Sequence, residues 1–141
     1  MNAHLVLKTV SKALIPLIAL FALYVQFHGD FGPGGGFQAG VIMAAAVILY
    51  ALVYGLQEAK RAVPPIVVRL GASLGALLFA GVGVVTLFLG GDFLDYDVLP
   101  GGQHAGIIAV ELGVLLTVAC VMVIIFYAFS GRARDISDEE W

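Results

Sequence analysis

Four long apolar runs, at about residues 10–27, 37–57, 66–89 and 105–129, alternate with short polar connections. Each run is long enough to cross a bilayer core about 30 Å thick, which takes about 20 helical residues. In lipid the backbone must satisfy its own hydrogen bonds, which leaves helices or closed barrels as spanning structures. Runs of this length predict an all-α integral membrane protein: four transmembrane helices in one membrane domain, followed by a polar tail at 130–141. Composition agrees. The chain is 61% hydrophobic and 12% charged, against about 25% charged in a soluble domain. The short connections place neighbouring spans antiparallel, as two tandem helical hairpins.

The charges orient these spans. Lys8 and Lys12 precede the first, Lys60, Arg61 and Arg69 lie in or beside the second connection, and Arg132 and Arg134 lie in the tail. The first and third connections carry Asp30, Asp92, Asp95 and Asp97 and no basic residue. Basic loops stay on the cytoplasmic side, so both termini are expected there, in a multi-pass protein of a bacterial or archaeal cell (inner) membrane. The first span is expected to be retained, because Gln26-Phe27-His28-Gly29-Asp30 lacks the small-residue site that signal cleavage needs. Val63-Pro64-Pro65 is expected to stop the second helix, since proline disfavours a helical residue before it. No basic patch is dense enough to track nucleic-acid phosphates, and a single cysteine, Cys120, rules out an internal disulfide.

The two outer connections resemble each other. Gly29-Asp30-Phe31, Pro33-Gly34-Gly35 and Ala39-Gly40 recur in order as Gly91-Asp92-Phe93, Pro100-Gly101-Gly102 and Ala105-Gly106. Such self-similarity suggests a duplicated hairpin turned about an axis along the membrane normal. Gly34-x-Gly36-x-x-Ala39 also fits a dinucleotide-binding fingerprint, but that reading needs a preceding strand and a βαβ unit. A membrane-long apolar run stands there instead, so the motif is read as a tight membrane turn. A simple reversal of direction is the plainer alternative, turns being glycine's commonest use.

His28 and Pro33-Gly34-Gly35-Gly36-Phe37-Gln38-Ala39-Gly40 resemble the hallmark of the B subunit of Mrp-type (Mnh-type) multisubunit cation/proton antiporters. Ala39 departs from it, a glycine often filling that place. The Pro100-Gly101-Gly102 turn and Glu111-Leu112-Gly113-Val114 extend the likeness over nearly the whole chain. The resemblance implies a complex exchanging cytoplasmic sodium or another monovalent cation for external protons, with the proton machinery mainly in larger subunits. The expected partners are therefore other subunits, membrane lipid, monovalent cations and protons. No cofactor, enzymatic activity or nucleic-acid partner is implied.

Glu111 is the acidic residue well inside a span, about two turns into the fourth helix. Intramembrane acids usually face protein or a water-filled cavity and often belong to ion paths, although gluing subunits together is the alternative role. His104 precedes it by seven residues on roughly the same helix face and can relay protons inward from the surface. His28 and Asp30, with Asp92, Asp95 and Asp97, can gather cations at the outer mouth, an acidic outer loop being otherwise simply what the topology demands. Pro33, Gly34, Gly35, Gly36, Phe37 and Gly40 form the structural motif of the turn. Three scattered histidines and one cysteine lack metal-ligand spacing, so no metal site is expected. Gly71-x-x-x-Gly75, Gly81 and Gly83 on the third span, with Ala44 to Ala46 on the second, permit close helix contact. Pro16 is expected to kink the first helix.

Three functions follow from these features. The leading one is a small membrane subunit of a monovalent cation (Na+)/proton antiporter, needed for assembly and contributing to the ion pathway. The alternatives are a subunit of a related membrane-bound hydrogenase-type complex, and an autonomous four-helix proton-coupled exporter. The exporter reading is weakened by the lack of an acid in the first span.

Overall fold

The structure, a computed structural model, describes residues 3–29 and 31–132. Asp30 and residues 133–141 of the polar tail, Arg134 among them, lie outside the described residues. Helix α1 runs Ala3–His28, α2 Gly36–Tyr54, α3 Leu56–Ala62, α4 Pro65–Phe88 and α5 Gly102–Ser130, with a short 3-10 turn at Tyr96–Val98 between α4 and α5. Four of these helices are long and apolar enough to cross a membrane.

The helices pack as a row. Helix α1 lies on α2, α2 on α5, and α5 on α4. Each hairpin therefore contributes its second helix to the middle. Few large side chains point inward: Leu20, Leu77 and Phe129 are 64%, 66% and 76% exposed. In water that surface would aggregate. In a bilayer it is the face that lipid solvates.

Two boundaries differ from the hydropathy reading. Helix α1 starts at Ala3, well before residue 10, because hydropathy marks what lipid solvates and nothing between Ala3 and Val10 breaks a helix. It also runs through Pro16 without interruption. Helix α2 ends at Gly55, whose φ of 99° suits glycine alone, and the short α3 follows. The Pro64-Pro65 pair thus ends α3 rather than α2: Pro64 is extended and Pro65 opens α4, where its missing N–H is harmless.

The basic end of the bundle carries its own clamps. The Tyr54 hydroxyl donates to the Lys8 carbonyl at 3.1 Å, tying α2 to α1. The buried Tyr127 hydroxyl lies 3.1 Å from the carbonyls of both Ala59 and Val63. Lys60 Nζ stands 5.8 Å from the Tyr127 ring centroid. Tyr127 joins Ala44, Ala51, Ala59, Val68 and Val123 in one core cluster. Removing the hydroxyl with Tyr127→Phe leaves those helix-end carbonyls short of a donor. It should destabilise the detergent-solubilised protein by about 1–3 kcal/mol, read as an earlier unfolding transition in a denaturant melt.

Small residues set the helix spacing. A Cβ placed on Gly75 would overlap the Thr117 hydroxyl and lie 2.6 Å from the Gly113 carbonyl oxygen. One on Gly71 would lie 2.5 Å from Cys120 Sγ. These two glycines therefore form the contact of α4 with α5. Gly83 instead receives the Phe93 ring, folded back from the following connection, and Gly81 faces open space.

Candidate functional site

The glycine turn closes the α1–α2 hairpin. Gly34 and Gly35 hold φ of 152° and 138°, values that L side chains rarely adopt. Gly36 is needed for another reason. A Cβ there would overlap the backbone carbonyl of Glu111 on α5 and lie 3.0 Å from its Cα. One turn on, a Cβ at Gly40 would lie 2.9 Å from the Leu115 carbonyl oxygen. Helix α2 thus starts flush against the backbone of α5, and the two run parallel with Gly36 level with Glu111.

This register places Glu111. It is half-buried, and its carboxylate is seated against the turn of the other hairpin. A Cβ on Gly29 would lie 3.0 Å from Oε2, and one on Gly35 3.2 Å from Oε1. Ala39 N–H donates to Gly35 O at 3.0 Å, so α2 winds up from the point where the carboxylate sits. Helix N-termini favour negative charge by about 0.3–1 kcal/mol, and up to about 2 kcal/mol when partly buried. Glu111 lies nine positions after Gly102, where α5 begins, or about 14 Å along a helix. The α1–α2 turn is therefore recessed by that height below the α4–α5 turn. The two glycine-rich segments that match in sequence do not occupy equivalent heights, and their contacts differ too. Gly106 packs on Tyr96 and Leu99 of its own connection, and Gly102 faces open space.

The other expected residues group around the turn less tightly. His28 ends α1, its ring stacked on Tyr24 at 5.3 Å and tilted against Phe31 at 6.5 Å. A Cβ on Gly32 would lie 3.1 Å from His28 Nε2. His28 is thus at the turn, one residue from the Gly29 that meets Glu111. His104 is exposed near the start of α5, about two turns above Glu111 on its own helix. Pro33 and Phe37 are exposed, while Gly36 and Gly40 are buried. Asp30 falls outside the described residues. Asp95 works locally, its Oδ1 accepting from Asp97 N–H at 3.3 Å.

Sequence reasoning missed Gln26. It is 2% exposed and lies three residues before Gly29, the residue that follows the end of α1 at His28. The available signal was an amide within an apolar span, a position where polar side chains are rare and usually turned inward.

Comparison with known proteins finds relatives along most of the chain. A family model described as a domain related to the MnhB subunit of Na+/H+ antiporter matches residues 6–124. The chain is 35% identical over 133 residues to the protein named antiporter subunit mnhB2 of Staphylococcus aureus strains Newman and COL. The match covers 89% of this chain and 94% of each relative.

Proposed function

The chain belongs to the MnhB family of Na+/H+ antiporter subunits, and we propose that within such a multisubunit complex it joins assembly to ion passage through Glu111. It is a subunit of a multisubunit Na+/H+ antiporter. The family match favours neither a hydrogenase-type complex nor an autonomous exporter. The observation that carries the reading of Glu111 is its seat: a carboxylate from α5 lodged in the glycine turn of the other hairpin, where α1, α2 and α5 meet. An acid held against backbone about 14 Å along α5 from its outer end, beneath a recessed turn, is suited to exchange protons or cations with the outer side. His28 and His104 flank its approach, and Asp30 follows His28 in the chain. The lipid-ready outer faces of α1 and α4 serve for packing against the larger subunits.

Deleting the gene and restoring it with a tagged copy tests this role. Cation-dependent proton flux in membrane vesicles should vanish on deletion and return with the copy. The tagged protein should bring the large antiporter subunits with it through detergent. Recovery as a bare homodimer, or undiminished flux after deletion, would end the proposal.

Orientation belongs to the same proposal, with the glycine turn outside and both termini in the cytoplasm. Phe31 is 78% exposed beside that turn. In a Cys120→Ala background, Phe31→Cys should react with a membrane-impermeant maleimide added to intact cells. Labelling only after the cells are opened would invert the topology.

A further inference from the structure

Two apolar grooves flank one ridge of α2 toward the basic end of the bundle. The first, about 270 Å³, lies between α2, α5 and the start of α4, with Ala119 and Val67 among its walls. The second, about 200 Å³, lies between α1 and α2, where Ile15, Ala19 and Tyr50 line it. Met43, Val47 and Val63 border both. The grooves therefore lie on one face, share the Met43–Val47 ridge and meet at Val63. That residue caps α3, the short helix that carries Lys60 and Arg61. Val67, 54% exposed at the first groove, shows that it opens to the lipid face.

We propose that this double groove seats one anionic phospholipid, an acyl chain on either side of the Met43–Val47 ridge and its phosphate between Lys12 and Arg61. Two clefts that meet at one end match two chains that leave one headgroup. The chains gain only packing contacts on entering, since the bilayer they leave is as apolar as the grooves. Selection must therefore come from charge at the headgroup. Lys12 lies three residues before Ile15 and seven before Ala19, so it shares the face of α1 that lines the second groove, one turn nearer the basic end. Arg61 immediately precedes Ala62, which lines the same groove. Both cations are exposed. Arg61 meets Glu58 at 2.6 Å, but an exposed contact of this kind is worth little and does not hold the guanidinium from a phosphate, which its planar fork fits. Tyr50 stands at the mouth, and tyrosine rings favour the headgroup level. The site needs the helices to cross a bilayer. It uses neither Glu111 nor the glycine turn, and it holds whichever side of the membrane the basic end faces.

Photolabelling of the assembled antiporter in vesicles tests the site. Phosphatidylglycerol with a photoreactive group in an acyl chain should form adducts at Met43 and Val47, and phosphatidylcholine with the same chain should label them far less. In a Lys12→Gln, Arg61→Gln double variant, the mole fraction of phosphatidylglycerol needed for half-maximal labelling should rise about thirty-fold. That equals about 2 kcal/mol, the contribution of two basic side chains near an anionic surface. Equal labelling by both lipids marks ordinary surrounding lipid and overturns the site, as does unchanged labelling in the double variant. Absence of adducts at the ridge means that another subunit covers it, which also overturns the site. If the variant does not assemble, a cryo-EM map of the wild-type complex decides. Two-tailed density astride Met43 and Val47, with its head at Lys12 and Arg61, is expected; protein in the grooves, or no density, overturns the site. None of these measurements reads transport, so a negative result leaves the antiporter role standing.

Discussion

Gly36→Val should abolish recovery of the folded, assembled subunit. The residue opens α2 with no room for a Cβ, which would overlap the Glu111 carbonyl on α5. The obstacle is backbone, so no rotamer change relieves it and α2 must separate from α5. Overpacking of a close contact costs about 1–3 kcal/mol and sometimes more, and here the displaced element also carries the seat of Glu111. About 3 kcal/mol is a large part of a marginal stability, so yield of the co-purified complex should fall well over ten-fold, and Gly36→Ala should fall partway. Gly81→Ala is the control. Nothing lies within 4 Å of that position, and replacing glycine in a helix interior is favourable by about 0.5–1 kcal/mol. Size-exclusion of a fluorescent fusion from solubilised membranes measures all three. If Gly36→Ala runs as wild type, the α2–α5 contact is looser than described.

Glu111→Gln should leave assembly intact and reduce cation-dependent proton flux by about a hundred-fold, the lower end of what a positioned proton-transfer group contributes. The magnitudes separate this outcome from a structural one. Gln keeps the shape of Glu111 and one acceptor oxygen, replaces the other oxygen with an NH2 donor, and removes the charge and titratable proton. The lost attraction to the α2 N-terminus is at most about 2 kcal/mol. It is opposed by the relief of no longer placing an acid in the membrane, near 2.5–3.5 kcal/mol at a helix centre and less toward the surface. Stability should therefore change little. Flux in inverted vesicles, normalised to the amount of assembled complex, gives the answer. Undiminished flux with reduced complex yield would make Glu111 a packing residue.

The turn geometry shows how far a linear reading reaches. That Gly34 to Gly36 needed to be glycine was legible, but not that two hold left-handed φ while the third is excluded by α5. Glu111 stood out because a charge in an apolar run is costly wherever it points. Gln26 did not, because an amide's cost depends on whether it faces the interior. Gly71, Gly75, Gly81 and Gly83 look alike along the chain, yet two meet α5, one meets a folded-back phenylalanine and one meets nothing.

Taken alone, the order of residues determined the solvent, the number of crossings and the segregation of basic from acidic connections. Each is a property of a segment by itself: transfer to lipid depends on local composition, and helical hydrogen bonds close within the run. Axial register between hairpins is a different quantity. It is set where the glycines of α2 meet the backbone of α5, Gly36 at Glu111 and Gly40 at Leu115, between segments far apart in the chain. Only tertiary packing could lower one glycine turn to the level of Glu111 on α5 and bring that carboxylate against Gly29 and Gly35. The same packing enclosed Gln26 beneath them.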